Sequence, residues 1–167
     1  TFVRDAISLD YPIVESITSI LPICDEFIVA AGDSQDGTTE LIKSIGDSRI
    51  KVIETVWDPA LFVHGAINAQ QTNLALSHCQ GDWCFYLQAD EVVHEKYLPY
   101  IVRAMEKNLH RPEVEGLLFD YKHFWGSYYT YQKAHHWYRR EVRVVRNFIG
   151  VESWKSAQGF RINGRKL

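Results

Sequence analysis

Apolar positions in the first two thirds of the chain alternate between helical and strand spacing. Residues 12–21 place Ile13, Ile17 and Ile20 on one helical face, and the apolar run over 26–31 is typical of a buried strand. The same patterns predict helices over 38–45, 66–79 and 95–108 and strands over 50–55 and 83–87. This alternation predicts a Rossmann-like α/β fold in which a mostly parallel sheet is flanked by helices.

The alternation stops near Pro112, and strand-like pieces at 116–121, 141–148 and 159–162 then surround an aromatic loop. Neither an internal repeat nor a flexible linker interrupts the sequence. We therefore predict a single domain over residues 1–167 with an elaborated C-terminal part. Residues 1–3 have the pattern of a strand already under way, which predicts a chain truncated at one or both ends.

Composition indicates a soluble protein with one core. Apolar residues make up 46% of the chain and aromatic residues 13%, and no run of about 18 apolar residues offers a membrane span. The cysteines, Cys24, Cys79 and Cys84, lack the spacing of a zinc site or a disulfide framework. That spacing favours buried thiols in a reducing cytoplasm.

Charge is distributed unevenly along the chain. Residues 122–167 hold ten Lys or Arg against two Asp or Glu, whereas residues 1–121 hold eight against nineteen. Either the basic part meets an anionic partner, such as diphosphate, phospholipid or nucleic acid, or it packs over the acidic half. Nucleic acid is the least favoured partner because the sequence contains no recognised binding module.

Two carboxylates follow the strand predicted over 83–87. If strand geometry persists, Gln88 and Asp90 point to one side and Glu91 to the other. Asp90 could then hold a hard divalent cation, Mg²⁺ or Mn²⁺, whose other ligands come from a bound diphosphate. Alternatively, Asp90 and Glu91 are an acidic start to the helix predicted over 95–108.

A second polar cluster, residues 32–38, follows the strand predicted over 26–31. Its aspartates, Asp33 and Asp36, and Ser34 could accept hydrogen bonds from ribose hydroxyls and from a base. The alternative is a turn whose Asp and Ser side chains cap the following helix. In parallel sheets ligands bind beyond the carboxyl ends of the strands, where both clusters are expected.

Together, in this order and on these elements, the two clusters resemble the family 2 glycosyltransferases of the GT-A fold, over about residues 1–109. Arg4-Asp5 loosely matches the family's polar pair after the first strand, and Ala31 through Thr38 matches the second half of its Asp-Asp-Gly-Ser-Thr-Asp-Gly-Thr-like segment. Asn73 corresponds to an Asn near the middle of a helix. The stretch from Gly81 to Asp90 corresponds to a strand that ends in Asp-X-Asp.

Two positions depart from that pattern. Ala31 and Gly32 stand where paired aspartates are expected, so the carboxylate that holds the base or ribose is missing or has shifted to Asp33. Gln88 replaces the first aspartate of Asp-X-Asp. Asp90 is therefore the one carboxylate that corresponds to the motif's metal ligand, and metal affinity is expected to fall.

The resemblance implies an enzyme, hexosyltransferase-like, that moves a sugar from a UDP- or GDP-linked donor to a glycan or lipid-linked acceptor, with inversion and metal assistance, in polysaccharide biosynthesis. Residues 1–109 would form the nucleotide-sugar-binding half and residues 110–167 the acceptor-side half. It also implies action at the cytoplasmic side of the membrane, with a peripheral lipid contact through the basic part. The donor-binding residues would be Arg4, Asp33, Ser34, Asp36, Asn73 and Gln88, and the catalytic residues Asp90 and Glu91.

Transfer with inversion needs a base to take the proton of the acceptor hydroxyl. Beyond Asp120 the only acidic residues are Glu141 and Glu152, and Glu152 is the preferred candidate because it follows a predicted strand beside Trp154; the alternative is a surface glutamate. Residues 119–138 contain nine aromatic residues together with His123, His135 and His136, which suit either a sugar-binding surface or packing. An arginine of residues 139–146 could clamp diphosphate.

Two other functions stay open. A sugar-phosphate nucleotidyltransferase shares a related fold, but no glycine-rich basic loop lies near residue 1. A catalytically degenerate domain that binds nucleotide or glycan without turnover would explain Gly32 and Gln88.

Overall fold

Four α-helices and eleven strands occupy the part of the chain that the computed structural model describes, residues 1–132, 137–157 and 159–167. The helices are α1 (Ile13–Ile20), α2 (Thr38–Ser44), α3 (Ala66–Ser77) and α4 (Leu98–Asn108). The strands are β1 (Phe2–Val3), β2 (Phe27–Ala31), β3 (Ile50–Glu54), β4 (Trp83–Phe85), β5 (Gly116–Asp120), β6 (His123–Phe124), β7 (Tyr131–Gln132), β8 (Arg140–Arg146), β9 (Val151–Trp154), β10 (Gly159–Ile162) and β11 (Arg165–Lys166).

The first half of the fold is the predicted parallel sheet with helical crossovers. Its strand order is β1-β2-β3, and both pairings are parallel. All five residues of β2 are buried, because helices cover both faces of such a sheet. On α1, Ile13, Ile17 and Ile20 face this core together, as their helical spacing predicts.

Beyond β3 the sheet differs from the mostly parallel one predicted. β4 pairs antiparallel with β8, which also pairs with β5, so the three strands form an antiparallel sheet. A further antiparallel sheet, β9-β10-β11, follows, and β6 and β7 form a hairpin. Spacing along the chain identifies a strand but not its partner, so the sequence could not show that β8 lies between β4 and β5.

One helix begins later than predicted. A 3₁₀ turn covers Glu95–Tyr97, and α4 starts only at Leu98. Asp90 and Glu91 therefore do not belong to the first turn of a helix. Both residues precede the helix, as the prediction placed them, so this boundary leaves the acidic helix start open as an alternative for Asp90, whereas Glu91 binds Arg143 instead.

The three cysteines are free, and Cys84 is buried. Burial raises the pKa of Cys24 to about 11, so its thiol stays protonated at neutral pH. Within the described part of the chain, every helix is too short or too polar to cross a bilayer.

A buried ion pair joins the loop after β4 to β8. The Arg143 side chain donates from its Nε and an Nη to the two carboxylate oxygens of Glu91, at 3.1 and 2.7 Å. Arg143 is only 1% exposed, and its guanidinium stands over the rings of Tyr86 and Tyr121, 5.1 and 5.2 Å from their centroids. Charge-assisted hydrogen bonds and cation–π contacts therefore both stabilise the buried guanidinium.

Two further donors complete the surroundings of Glu91. The Tyr121 hydroxyl donates to Oε1 at 2.9 Å, and the Gln88 backbone N–H donates to Oε2 at 3.1 Å. Desolvation alone would lower the pKa of Arg143, but the hydrogen bonds and negative charge of Glu91 raise it above its ordinary value. Since the Gln88 N–H belongs to the same loop as Glu91, the ion pair also fixes the path of residues 88–91.

Asn73 joins α3 to β9. Its amide nitrogen donates to the carbonyl of Ser153 at 3.1 Å, and its amide oxygen accepts from the Ser153 N–H at 2.6 Å. This side chain therefore pairs with the backbone of β9 as a neighbouring strand would.

Replacing Glu91 by Gln leaves Arg143 buried beside a neutral amide. We expect Glu91→Gln to lower the free energy of unfolding by about 3 kcal/mol, because breaking a buried ion pair leaves an uncompensated charge. Urea denaturation measures the change. Asp120→Asn, which removes an exposed pair with Arg140, is the matched control and should cost at most about 1 kcal/mol. Equal losses in the two variants would contradict the prediction.

Removing the Asn73 amide leaves two backbone groups of Ser153 without their partners. Asn73→Ala should lower the free energy of unfolding by about 1–3 kcal/mol, with urea denaturation as the measurement. Gln70→Ala, on the exposed part of the same helix, should stay within about 0.5 kcal/mol of the parent. Loss of nucleotide affinity in Asn73→Ala without any loss of stability would instead assign Asn73 to ligand binding.

Candidate functional site

A cavity of about 420 Å³ opens at the ends of three strands. Its polar lining comes from Arg4 and Asp5 after β1, from Asn68 on α3, and from Gln88 and Asp90 after β4. Trp57, which follows β3, and Phe62 give it an aromatic wall. The cavity therefore combines a few polar groups with aromatic surface at the carboxyl ends of the parallel strands β1 and β3 and of β4, which belongs to the antiparallel sheet.

Gln88 and Asp90 both line this cavity, and so does Ala89 between them. β4 ends at Phe85 and the Glu91 N–H donates to the Gln88 carbonyl, so the predicted strand alternation does not continue through residues 88–91. The Gln88 amide nitrogen donates to the Tyr86 hydroxyl at 3.1 Å, which orients the amide. Asp90 is exposed at the cavity, where partial desolvation and the nearby charge of Glu91 raise its pKa. A cation or a hydrogen-bond donor on a ligand would favour its ionised form.

Glu91 points away from the cavity, toward Arg143. Both of its carboxylate oxygens are bound by protein donors, and Glu91 is not among the residues that line the cavity. The structure therefore gives Glu91 a positioning role: it holds the loop that carries Asp90.

Arg4, Asp33 and Trp57 meet beside the cavity. The Arg4 Nε lies 3.4 Å from an Asp33 carboxylate oxygen, which also accepts from the Trp57 backbone N–H at 3.3 Å. The guanidinium stands over the Trp57 ring, 5.7 Å from its centroid. Within the described ranges, Arg4 Nε and Trp57 Nε1 are buried without a hydrogen-bond partner. Buried N–H groups of this kind are costly unless a ligand or rearrangement satisfies them.

Gly32 makes this arrangement possible. A Cβ at this position would stand 2.6 Å from Trp57 Nε1 and 3.0 Å from the Arg4 Cβ. An aspartate here would displace the indole. The observed position of Trp57 therefore requires that position 32 lacks the expected carboxylate side chain.

Ser34 and Asp36 build the loop that follows β2. The Ser34 hydroxyl accepts from the Asp5 N–H at 2.9 Å. Asp36 accepts from the Thr38 N–H and hydroxyl and from the Ser8 N–H. Desolvation opposes its ionisation, but the bonds from Thr38 and Ser8 outweigh it and lower the pKa of Asp36 to about 2. For both residues, this agrees with the alternative of a polar turn at a helix start.

Two sequence-predicted site residues lie elsewhere. The Asn73 amide is engaged by Ser153. Glu152 is exposed on β9, opposite Arg161 in the β9-β10 register, and is not among the cavity residues. The structure therefore brings Arg4, Gln88 and Asp90 together, with Asp33 beside them, but not Asn73 or Glu152.

The arginines of β8 bind protein groups rather than an open site. Arg143 holds Glu91, and Arg140 pairs with Asp120 at 2.6 Å. Arg146 donates to backbone carbonyls of Asn108 and Leu109 at the end of α4 and stacks on Trp83, 4.3 Å from its centroid. The strand alternation was visible in the sequence, but the acceptors lie 20 to 52 positions away along the chain.

Trp57, Asn68 and Tyr86 were not anticipated as site residues. Trp57 lies three residues after the end of the strand β3, and this location was an available signal because ligands bind at strand ends. Neither Asn68 nor Tyr86 lies in a sequence pattern that could have identified it as a site residue. The predicted loop histidines His135 and His136 lie outside the described residues.

The cavity offers few donors to a divalent cation. No cluster of three or more His, Cys, Asp or Glu that could hold a metal occurs in residues 1–132, 137–157 and 159–167. Asp90 and the Gln88 amide nevertheless offer oxygen donors to one cavity, and Mg²⁺ is commonly bound by one or two carboxylates with substrate phosphates and water. These residues fit a cation shared with a diphosphate.

The chain was compared with known proteins. Residues 12–161 match the model of the family described as Glycosyl transferase family 2. No curated protein matches the chain. The matched region includes β2, β3, the loop carrying Gln88 and Asp90, and the antiparallel sheet that anchors this loop. The chain therefore belongs to glycosyl transferase family 2.

Proposed function

We propose that this glycosyltransferase moves a sugar from a UDP- or GDP-linked donor to a hydroxyl of a glycan or lipid-linked acceptor, with inversion, in polysaccharide biosynthesis at the cytoplasmic side of a membrane. The cavity that joins Arg4, Gln88 and Asp90 carries the proposal. Its volume of about 420 Å³ lies within the range of small-molecule sites.

Donor binding would use the two sides of this cavity differently. Arg4 brings a positive charge, which the carboxylates of Asp5 and Asp33 partly neutralise; an oxygen of each lies 3.4 Å from the Arg4 Nε. Trp57 offers an aromatic surface. Asp33 is the carboxylate nearest to the position vacated at Gly32, so it is the proposed acceptor for ribose hydroxyls. On the opposite side, Gln88 and Asp90 would face the diphosphate and the sugar.

Asp90 would hold the Mn²⁺ or Mg²⁺ ion, with Gln88 as a weaker oxygen donor. Such an ion, when bound, neutralises charge on the leaving diphosphate. Glu91 and Arg143 keep the Asp90 loop in place through their buried pair. This preorganisation reduces the reordering that donor binding would require.

Nucleotide binding tests the proposal. We expect UDP or GDP, or one of their sugar conjugates, to bind in calorimetry, and Mn²⁺ to strengthen binding at least about tenfold, because Asp90 would hold the cation and the cation would neutralise charge on the diphosphate. Asp90→Asn should remove the Mn²⁺ dependence and leave weak metal-free binding. Asp82→Asn, which changes an exposed aspartate at the other end of β4, is the control.

Absence of binding by a folded chain would contradict the donor site. Metal-dependent binding without product would instead support the degenerate domain, which the substitution of Gln88 for a carboxylate favours.

The acceptor base is tested separately. Because Glu152 is exposed on β9 outside the cavity, we expect Glu152→Gln to retain turnover within about threefold of the parent, measured as sugar transferred from the donor identified by calorimetry. A general base contributes about 10²- to 10⁴-fold. A loss of that size with unchanged donor affinity would restore Glu152 as the base.

A further inference from the structure

A hairpin projects from the fold beside the proposed site. We define the aromatic hairpin as residues 121–132, which contain β6, β7 and the turn between them. Three aromatic side chains at its end face solvent: Trp125 is 63% exposed, Tyr128 77% and Tyr129 97%. Phe124 and Tyr131, on the two strands, are also exposed. A patch of large aromatic residues on a protein surface marks an interaction site.

The base of the aromatic hairpin is fixed, unlike a free loop. The Tyr121 and His123 rings stack at 5.6 Å, and the His123 Nε2 lies 2.6 Å from the Tyr138 carbonyl oxygen. Tyr121 in turn donates to Glu91, the neighbour of Asp90. Whatever the aromatic hairpin binds is therefore held at a set position relative to Asp90.

Charge at this surface is positive. The aromatic hairpin contains Lys122 and no Asp or Glu, and the exposed Arg139 accepts through its backbone carbonyl from the Tyr121 N–H at the base of the hairpin. The ammonium group of Lys122 stands over the Tyr131 ring, 5.6 Å from its centroid. Aromatic and cationic groups therefore occur on the same surface.

These features suit a bilayer surface better than a glycan. Ligand sites bury their aromatic rings in a concave surface, whereas Tyr129 is almost fully exposed in the turn between β6 and β7. Trp and Tyr prefer the membrane interface, where one part of the ring is apolar and the other wet, and basic residues add attraction to anionic headgroups. We infer that the aromatic hairpin docks onto an anionic lipid surface.

One consequence rests on the proposed function. A docked hairpin would hold the cavity close to the membrane surface, so the acceptor hydroxyl would belong to a lipid-linked molecule. Lipid binding itself requires neither donor nor turnover, so the hairpin and the donor site can fail separately.

Vesicle sedimentation tests the inference with the full chain. We expect binding to vesicles of phosphatidylcholine with phosphatidylglycerol, and much weaker binding to phosphatidylcholine alone. The double variant Trp125→Ala/Tyr129→Ala should bind about tenfold more weakly, because interfacial binding scales with the apolar area inserted. Lys122→Ala should weaken binding to the anionic vesicles about fivefold. Tyr100→Ala, which removes a tyrosine 65% exposed on α4, should bind as the parent does.

A second measurement reports insertion directly. Brominated phosphatidylcholine mixed with phosphatidylglycerol should quench tryptophan emission in the parent, and Trp125→Phe should remove most of that quenching. The inference is overturned if the parent does not sediment with anionic vesicles, or if the double variant sediments equally. It is also overturned if the double variant loses affinity for soluble glycan while vesicle binding is unchanged.

Discussion

The bidentate ion pair between Glu91 and Arg143 is the interaction on which the site depends. It connects the loop after β4 with β8, two segments that are 52 positions apart along the chain. Two charges out of water are costly, and here the cost is offset by four hydrogen bonds to the carboxylate and by two aromatic rings that the guanidinium contacts. Because Glu91 binds Arg143, it holds the loop so that the adjacent Asp90 faces the cavity.

The same pair extends its influence to the aromatic hairpin. Tyr121 contributes a hydroxyl to Glu91 and a ring to both Arg143 and His123. Desolvation and the charge of Glu91 raise the pKa of Tyr121, so its hydroxyl stays a donor at any physiological pH. The position of the hairpin and the position of Asp90 are thus set by one group of contacts.

Local patterns predicted the helices and the parallel strands, because amphipathic spacing and buried runs depend on neighbouring residues alone. α2 and β3 end one residue before their predicted ends, and β10 matches its prediction. Long-range features could not be predicted. Arg143 was a candidate diphosphate clamp, and only the antiparallel pairing of β8 shows that its partner is a carboxylate of the protein.

The polar segment after β2 was predicted correctly as a polar turn, but the motif did not show which of its side chains face the cavity. Asp33, Ser34 and Asp36 were one set of candidate ligands, yet the side chains of Ser34 and Asp36 accept from backbone N–H groups. Turn geometry needs these acceptors whether or not a ligand binds. Of this segment, Asp33 is the residue whose carboxylate meets Arg4 beside the cavity.

Both departures from the family pattern, Gly32 and Gln88, are explained by a neighbouring aromatic residue. At position 32 the missing side chain leaves room for the Trp57 indole, and at position 88 the amide that replaces a carboxylate donates to the Tyr86 hydroxyl. At position 32 the Trp57 indole occupies the space that a carboxylate side chain would need, and at position 88 the Tyr86 hydroxyl accepts a hydrogen bond that a carboxylate could not donate. A carboxylate at position 88 could only accept from Tyr86, and one at position 32 would collide with Trp57. The substitutions are therefore consistent with their surroundings, and they give this cavity fewer negative charges and more aromatic surface than the family pattern implies.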